Sequence, residues 1–254
     1  MYKAATSKLF LTIAVFLATV PALSAQLHVI SSGGFRPAYQ ELLPEFEKST
    51  GIRVTSMAGA SQGTGPNTIG AQLRGGLHAD VVIMSKEGLR ELIAEGRVAG
   101  GTDVDLAQVP IGMAVRAGVP KPDISTVEAF RQTVLHAKSI GIQSTTGIYL
   151  TGTLFPKLGI AEAMSGKITS GGAAAVASGE TEIAVLPVSE LLHVPGADFI
   201  GTIPKEIQSV SVFSAAMLAG STEPAKAKQL IAFLASKQAA KAIANSGMEP
   251  MGSR

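Results

Sequence analysis

The stretch VISSGGFRPAY, Val29 to Tyr39, decides how the fold begins. Its apolar start is typical of a buried β-strand, and its end opens a helical pattern with proline in the first turn. Two serines and two glycines lie between them, so that backbone N–H groups and hydroxyls can approach another molecule closely. Because a helix N-terminus offers unpaired N–H donors and positive potential, this junction is suited to hold an anion.

Short apolar runs alternate with helical periodicity along the rest of the chain. The runs are continuous, as expected for strands covered on both faces, and their order predicts an α/β fold with mainly parallel sheets flanked by helices. The predicted strands are Leu27–Ile30, Val54–Met57, Val81–Met84, Ile111–Val115, Ile140–Ile142 and Ile183–Leu186. The predicted helices are Ala38–Ser49, Lys86–Glu95, Val127–Ala137, Leu150–Leu158, Ala173–Ser178 and Glu223–Ser236. Pro44 is expected to kink or restart the first of these helices.

Two polar, glycine-containing connections, Ala99–Gln108 and Gly201–Ser209, divide the chain. A second run of strand and helix signals lies between them. We therefore expect a discontinuous first domain, residues 26–104 and 210–254, that flanks an inserted second domain, residues 105–209. Two chain crossings of this kind leave a hinge and a cleft between the domains.

The first 25 residues have the layout of a cleaved secretory signal peptide. Two lysines precede a short apolar run, Leu9–Val20, and the segment ends in small residues before Gln26. The run is too short to span a membrane, so cleavage after Ala25 would release an exported protein, most simply to a bacterial periplasm. A lipid anchor is not expected, because the chain has no cysteine to carry one.

Charge and composition exclude several classes of function. The 254-residue chain has 21 lysines and arginines against 19 aspartates and glutamates, but two of the lysines belong to the predicted leader. Residues 26–254 therefore have a formal net charge of zero and no basic tract of the kind that nucleic-acid binding needs. Without cysteine there is no thiol nucleophile, and the four histidines lack the spacing of a metal site. We expect a monomer that uses no metal and no cofactor.

Polar residues follow four of the predicted strands, where ligands of open parallel sheets bind. The first group is the Ser31–Gly34 turn with Arg36, whose guanidinium can hold a carboxylate through two hydrogen bonds. The others lie in the loop Gly59–Gly70, in Ser144–Leu150 before a helix, and in Leu186–Glu190. Each segment can also be an ordinary turn or helix cap, but donors without metal ligands favour a small anion as ligand. The candidate ligand-binding residues are Ser31, Ser32, Gly33, Gly34, Arg36, Ser61, Gln62, Thr145, Thr146, Gly147, Ile148, Tyr149, Pro187 and Ser189.

These segments, taken in order, resemble the periplasmic molybdate-binding proteins of ABC importers and their wider solute-binding family. The resemblance covers nearly all of residues 26–254 and rests on VISSGGF, GASQG, ADVVIMSKEGLREL, TTGIYLTGTLFPKLG and GSTEPAKAKQLIAFLASKQAAKAI. It implies a two-domain clamp of the periplasmic-binding-protein type, with a small anion in the cleft and, for an importer, an ABC permease as partner. It also implies that the cleft is lined by Ser32, Ser61, Gly147 with Ile148, and the Leu186–Ser189 turn.

The chain departs from the molybdate-binding pattern in two places. The turn Leu186–Ser189 lacks the family's tyrosine ligand, and the loop Gly59–Gly70 is longer and richer in glycine. Together with Arg36, these departures favour a larger anion with several carboxylates, such as a tricarboxylate. The first prediction is therefore a clamp that binds a small multi-carboxylate anion, and a molybdate or tungstate importer component is the less favoured one.

The chain also resembles one branch of this family, the periplasmic aconitate isomerases, which interconvert the cis and trans forms of a tricarboxylate. An allylic isomerase needs one base that removes a proton from a methylene carbon and returns it at the other end of the allyl system. It also needs donors that stabilise the delocalised charge on a carboxylate. Tyr149, Lys86 and Glu190 lie near the candidate loops and are the candidate bases, so binding and catalysis both remain open.

Overall fold

The computed structural model describes residues 26–251, an α/β structure with two β-sheets. The predicted signal peptide, residues 1–25, lies outside the described residues. We call the six-stranded sheet with its helices the first lobe, and the five-stranded sheet with its helices the second lobe. Within the described range, no helix has both the length and the apolar character needed to cross a bilayer.

Strands and helices are named here in chain order. The strands are β1 Leu27–Ser31, β2 Val54–Ala58, β3 Val81–Ser85, β4 Val104–Val109, β5 Ile111–Arg116, β6 Ile140–Gly141, β7 Ile168–Thr169, β8 Ile183–Pro187, β9 Ala197–Thr202, β10 Ser211–Met217 and β11 Glu249–Pro250. The helices are α1 Arg36–Thr50, α2 Ile69–Arg74, α3 Lys86–Ala94, α4 Val127–His136, α5 Ser144–Tyr149, α6 Phe155–Lys157, α7 Ala161–Met164, α8 Ala173–Ser178, α9 Pro224–Leu234 and α10 Ala240–Asn245. Short 3₁₀ turns lie at Gly33–Phe35, Val188–Glu190 and Lys205–Ile207, and a π-helical segment at Leu150–Leu154.

The first lobe contains a sheet of strand order β11-β4-β10-β3-β1-β2. Strand β1 lies between β3 and the edge strand β2 and pairs in parallel with both. The residues of β3 are all buried, as the continuous apolar run Val81–Met84 predicts. Because β1 and β2 run in the same direction, the candidate loops that follow them meet at one edge of the sheet.

The second lobe contains a sheet of strand order β7-β6-β8-β5-β9. Strand β6 is parallel to β7 and β8, whereas β5 is antiparallel to β8 and β9. Its apolar core includes Phe130 from α4, Leu150 and Leu154 from the π-helical segment, and Val185 from β8. The loop after β6 leads into α5, and the loop after β8 forms the turn Val188–Glu190, so the third and fourth candidate loops share one edge.

The chain crosses between the lobes twice, at Pro110 and along residues 203–210. Strand β4 belongs to the six-stranded sheet, so the first crossing comes after residue 104, where the sequence analysis divides the domains. Strands β5, β9 and β10, which adjoin the crossings, run antiparallel to their neighbours, and both sheets are therefore mixed rather than mainly parallel. Parallel pairing of strands that follow one another in a sheet needs a crossover helix between them. A strand from which the chain continues into the other lobe has no such helix, so it can pair antiparallel.

Helix α1 follows the first candidate turn and fixes its position. Pro37 lies in the first turn of the helix, and the left-handed Gly51, with φ of 73°, ends it. The helix runs without interruption through Pro44, so the predicted restart does not occur. It packs on the first-lobe core through Ala38, Tyr39, Leu42 and Phe46.

The helix predicted at Leu150–Leu158 begins earlier, at Ser144. Helix α5, the π-helical segment and α6 follow one another without a break, so the third candidate loop is already helical. Thr145 and Thr146 therefore lie inside the first turn instead of preceding it. Single π-helical turns of this kind occur often beside functional sites.

Candidate functional site

A cavity of about 790 Å³ lies between the lobes, where the candidate loops meet. We call it the cleft cavity. The first lobe contributes the turn into α1 and the loop after β2, and the second lobe contributes the start of α5 and the segment after β8. The lining residues are Ser32, Gly33, Gly34, Arg36, Pro37, Ala58, Gly59, Ala60, Ser61, Asn67, Gln72, Gln143, Ser144, Ser189, Glu190, Leu192, His193, Val194 and Ser246.

Ser32 presents a hydroxyl with no partner in the first wall of the cavity. Its N–H donates to the carbonyl of Ile83 at 2.8 Å, which fixes the turn on the sheet. Its side chain is 2% exposed, and Oγ has no hydrogen-bond partner among residues 26–251. A buried polar group without a partner lowers the stability of the fold by about 1–3 kcal/mol. A ligand atom that forms a hydrogen bond with this hydroxyl would recover that free energy. Ser31 does not line the cavity, because it ends β1 and its carbonyl accepts from Gly59 N–H.

The two glycines of this turn are needed for different contacts. A Cβ on Gly34 would lie 2.0 Å from the ring of Phe213, so this glycine is required by the packing of the core. A Cβ on Gly33 would lie 2.9 Å from Oε2 of Glu190, so this glycine lets a carboxyl group of the second lobe approach the backbone. Sequence analysis assigns both glycines to ligand contact, but the structure places Gly34 against the core as well as at the cavity edge.

The second wall is the start of the loop after β2. Ser61 lines the cavity, and its Oγ accepts from the N–H of Ser85 at 2.9 Å. The N–H of Gln62 donates to Ser144 Oγ at 3.1 Å across the cleft. Its side chain instead donates from Nε2 to Glu91 at 2.5 Å, so this amide points away from the cavity. Gln62 thus joins the lobes through its backbone and does not contribute its side chain.

The third wall is the first turn of α5. Thr145 Oγ1 and Ser85 Oγ are 2.8 Å apart, a second hydrogen bond between the lobes. Thr146 is 2% exposed, and its Oγ1 has no partner within the described range. The N–H of Gly147 donates to Gln143 inside the helix, and Ile148 is exposed, so neither lines the cavity. Thr145 and Thr146 do not line the cavity either, so this segment contributes Gln143 and Ser144 to the wall instead of the predicted residues.

Two of the three candidate bases point elsewhere. Tyr149 donates its hydroxyl proton to the carbonyl of Ile207 at 2.9 Å, and burial raises its pKa above the ordinary value. Lys86 Nζ lies 2.5 Å from Asp105, which also accepts from Ser214. Although burial alone would raise the pKa of Asp105, these hydrogen bonds hold it below its usual range, so the aspartate stays charged and pairs the lysine. A hydroxyl and an ammonium engaged in this way are not available as bases, and neither lines the cavity.

Glu190 is the candidate base that reaches the cavity. It ends the 3₁₀ turn that follows β8, and its carboxyl group lies over Gly33. Burial raises its pKa from 4.5 to about 7, although the nearby Arg36 guanidinium lowers it. Ser189 beside it is 2% exposed with no partner for its Oγ among the residues described, while Pro187 is buried in β8 and does not line the cavity. The turn therefore supplies a carboxyl that titrates near neutral pH and one more free hydroxyl.

Ser144 and His193 also line the cavity, although the sequence analysis does not single them out. They are the two non-glycine residues with positive φ in residues 26–251, at 51° and 59°. Ser144 accepts the hydrogen bond from Gln62, and His193 Nε2 donates to the carbonyl of Asn245 at 3.2 Å, so each joins the lobes. No sequence signal marks them, because left-handed backbone at a serine or histidine is imposed by tertiary contacts.

The assembled groups fit a carboxylate ligand. Hydroxyls and a guanidinium donate hydrogen bonds to carboxylate oxygens. In the described residues, the charged or titratable side chains that line the cavity are Arg36, Glu190 and His193. In the same part of the chain, no three histidine, aspartate or glutamate side chains come together as metal ligands. A carboxyl group with a pKa near 7 beside such donors can accept a proton from a bound anion.

Comparison with known proteins adds a family and a close relative. The family described as bacterial extracellular solute-binding protein matches residues 27–249. A protein described as aconitate isomerase, from Pseudomonas sp, is 41% identical over 247 residues, which cover 94% of this chain and 94% of that protein.

Two solved structures share the architecture. The periplasmic molybdate-binding protein of Azotobacter vinelandii superposes with a TM-score of 0.70 at 19% identity, over 88% of this chain and 98% of that one. The sulfate-binding protein SubI of Mycobacterium tuberculosis gives 0.70 at 18% identity, over 89% and 87%. At such low identity the likeness shows the fold alone, and it confirms the predicted two-domain α/β clamp.

Proposed function

The chain belongs to the bacterial extracellular solute-binding protein family, and from this we propose that it is an aconitate isomerase acting in the cleft cavity. One observation carries the proposal: Glu190, whose pKa burial raises to about 7, faces a cavity with free hydroxyls and a guanidinium. The 41% identical relative described as aconitate isomerase supports it. Sequence analysis favours binding without turnover, but a carboxyl group with a raised pKa in the cleft, that of Glu190, favours catalysis.

The substrate is a tricarboxylate, and the cavity offers separate donors for its charged groups. Arg36 is placed to take one carboxylate through two charge-assisted hydrogen bonds. The hydroxyls of Ser32 and Ser189 are the donors for the others, because both are buried and lack partners within the described residues. These contacts hold the carbon skeleton with its methylene group towards Glu190, which is the geometry that proton abstraction requires.

The reaction moves one proton and one double bond. Glu190 as carboxylate removes a proton from the methylene carbon, and the electron pair delocalises over the three allylic carbons and the neighbouring carboxylate. Donors on that carboxylate stabilise the developing charge. The protonated Glu190 then returns the proton to the far allylic carbon, and the double bond forms between the other two carbons. Since aconitate has the same connectivity after this shift, the way the terminal carboxylates are held decides whether cis or trans product leaves.

We also propose that residues 1–25 are a signal peptide and that the enzyme acts in the periplasm. The family is described as extracellular, and the Azotobacter structure is described as periplasmic. Mass spectrometry of the protein from a periplasmic extract would show the new N-terminus at Gln26. A protein that keeps Met1 in the cytoplasmic fraction would contradict this part of the proposal.

The test is turnover by the purified protein, residues 26–254, at pH 8. We expect cis-aconitate to form from trans-aconitate, followed by chromatography. Glu190→Gln keeps the shape of the side chain without its basicity and should lower kcat by about 10²–10⁴-fold. Glu45→Gln, an exposed change on α1, is the matched control and should leave the rate unchanged.

Two outcomes would overturn the proposal. The first is no product from either isomer while aconitate still raises the melting temperature, which would indicate a binding protein with an ABC permease as partner. The second is full activity of Glu190→Gln, which would remove Glu190 as the base.

A further inference from the structure

The turn that carries Glu190 is packed against the first lobe, although it follows a strand of the second. Val188 lies in the apolar cluster of the first lobe, and its N–H donates to the carbonyl of Pro110 at 3.0 Å. Gly247 closes on the same segment, because a Cβ there would lie 2.7 Å from Val188 and 2.6 Å from Leu192. Val188 and Leu192 therefore pack on the first lobe near the first chain crossing, whereas Leu191 between them lies in an apolar cluster of the second lobe.

His193 directly follows Leu192 and has a backbone conformation that residues other than glycine rarely adopt. Its φ is 59°, and its Nε2–H donates to the carbonyl of Asn245 at 3.2 Å. Asn245 is the last residue of α10, where helix carbonyls have no partner inside the helix. Backbone strain of this kind persists only where surrounding contacts hold it, and it is concentrated at functional sites.

We propose that His193 is a positioning residue for Glu190, an inference that rests on the proposed function. The bond from His193 to Asn245 ties the Glu190 turn to α10. Asn245 Nδ2 in turn donates to Glu41 on α1 at 3.4 Å, and α1 begins at Arg36. The proton acceptor and the carboxylate-binding guanidinium are thereby held in one frame, with the Glu190 carboxyl pressed over Gly33. A displacement of about 1 Å in such a constellation can cost 10²-fold in rate.

The variants separate positioning from simple helix capping. His193→Val removes the donor, and its β-branched side chain resists positive φ, so it should release the turn. His193→Asn keeps an N–H donor and tolerates the left-handed conformation. We expect kcat to fall by about 10- to 100-fold in the valine variant and by less than about threefold in the asparagine variant. KM should change by less than about threefold in both, because Arg36 and Ser32 are untouched.

The pH profile of kcat gives the decisive readout. Arg36 from α1 and His193, three residues after Glu190, are the other charged or titratable groups that line the cavity with Glu190 in the described residues. Release of the turn in His193→Val exposes the carboxyl to water, so the midpoint of the profile should fall by about one unit. A merely structural defect would lower the fraction of folded enzyme and leave the midpoint unchanged. His136→Val, on α4 and outside the cleft, is the matched control.

Three results would overturn the inference. An unchanged midpoint in His193→Val would leave only a structural role, and a rise of KM with kcat unchanged would mean that the histidine binds substrate directly. A midpoint that rises would mean that His193 acts on Glu190 as a charge. The stability gained by Glu190→Gln, measured against pH with and without His193→Val, tests the same positioning without turnover. The two proposals separate if the wild-type protein converts neither isomer of aconitate while the pH midpoint of this stability gain is still lower with His193→Val than without it. In that case the proposed function fails and the positioning role of His193 stands.

Discussion

The cleft cavity and a second cavity in the outer part of the second lobe are close in volume but differ in how their polar side chains are satisfied. The cleft cavity measures about 790 Å³ and the outer one about 840 Å³. Both are lined by side chains of each charge, with Arg116, Lys138, Glu180 and Glu182 among those of the outer cavity. Volume and charge therefore do not distinguish them.

Hydrogen bonding does distinguish them. In the outer cavity Glu182 accepts from the N–H of Lys138, Ser139 Oγ accepts from the N–H of Glu182, and Thr133 donates to Asp123. In the cleft the hydroxyls of Ser32 and Ser189 are buried without partners. The comparison teaches that unpaired buried donors from both lobes, together with a carboxyl raised towards neutral pKa, indicate a binding site better than size does.

The largest expected effect concerns stability at Glu190. Its folded pKa of about 7 lies above the ordinary 4.5, so the folded protein holds this proton more tightly than the unfolded chain. Stability is therefore lost as pH rises from about 4.5 to 7, by up to about 3 kcal/mol. Urea unfolding of Glu190→Gln should show a gain approaching that size at pH 8 and none at pH 4. A gain that does not depend on pH would contradict the raised pKa of Glu190.

Arg36 gives the next largest effect. A charge-assisted hydrogen bond contributes about 1.5–3 kcal/mol, so Arg36→Ala should raise KM for aconitate at least about tenfold. The change also removes the cation that lowers the pKa of Glu190, so the midpoint of the kcat profile should move above 7. Arg116→Ala in the outer cavity is the control, for which we expect unchanged kinetics. Equal effects of the two alanine variants would remove the distinction between the cavities.

The smallest effect separates free hydroxyls from satisfied ones. Ser189→Ala removes a buried hydroxyl that has no partner among the described residues, so stability without ligand should stay equal or rise. Thr133→Val breaks the bond to Asp123 and should lower the free energy of unfolding by about 1 kcal/mol. Thermal shift with and without aconitate measures both variants, and only Ser189→Ala should reduce the stabilisation by ligand. A loss of stability in ligand-free Ser189→Ala would mean that its hydroxyl is already satisfied.

The fold follows from the sequence where apolar runs are continuous. Val81–Met84 and Ile183–Leu186 are strands within one residue of the prediction, because burial on both faces requires such runs. The sequence pattern does not predict strand β4, since Asp105 and Gln108 interrupt its apolar residues as in a polar connection. The pattern does not predict strand β10 either, because serine and alanine have little preference for strands.

The candidate site can be predicted from the sequence less completely than the fold. Strand ends predicted the loops that meet at the cavity, because parallel strands bring their carboxyl ends to one edge. The sequence did not separate Glu190 from Tyr149 and Lys86, since the direction of each side chain depends on a partner distant along the chain. The Tyr149 hydroxyl donates to the carbonyl of Ile207, and Lys86 pairs with Asp105, whereas the Glu190 carboxyl lies over Gly33 and near the charge of Arg36.

The central claim is that Glu190 is the proton acceptor of an isomerase. The most direct measurement is the initial rate of cis-aconitate formation from trans-aconitate between pH 5 and 9, with wild-type protein and Glu190→Gln. We predict a rate that rises with a midpoint near pH 7 in the wild type and a flat, nearly absent rate in the variant. No cis-aconitate at any pH, or profiles that coincide for the two proteins, would contradict the account.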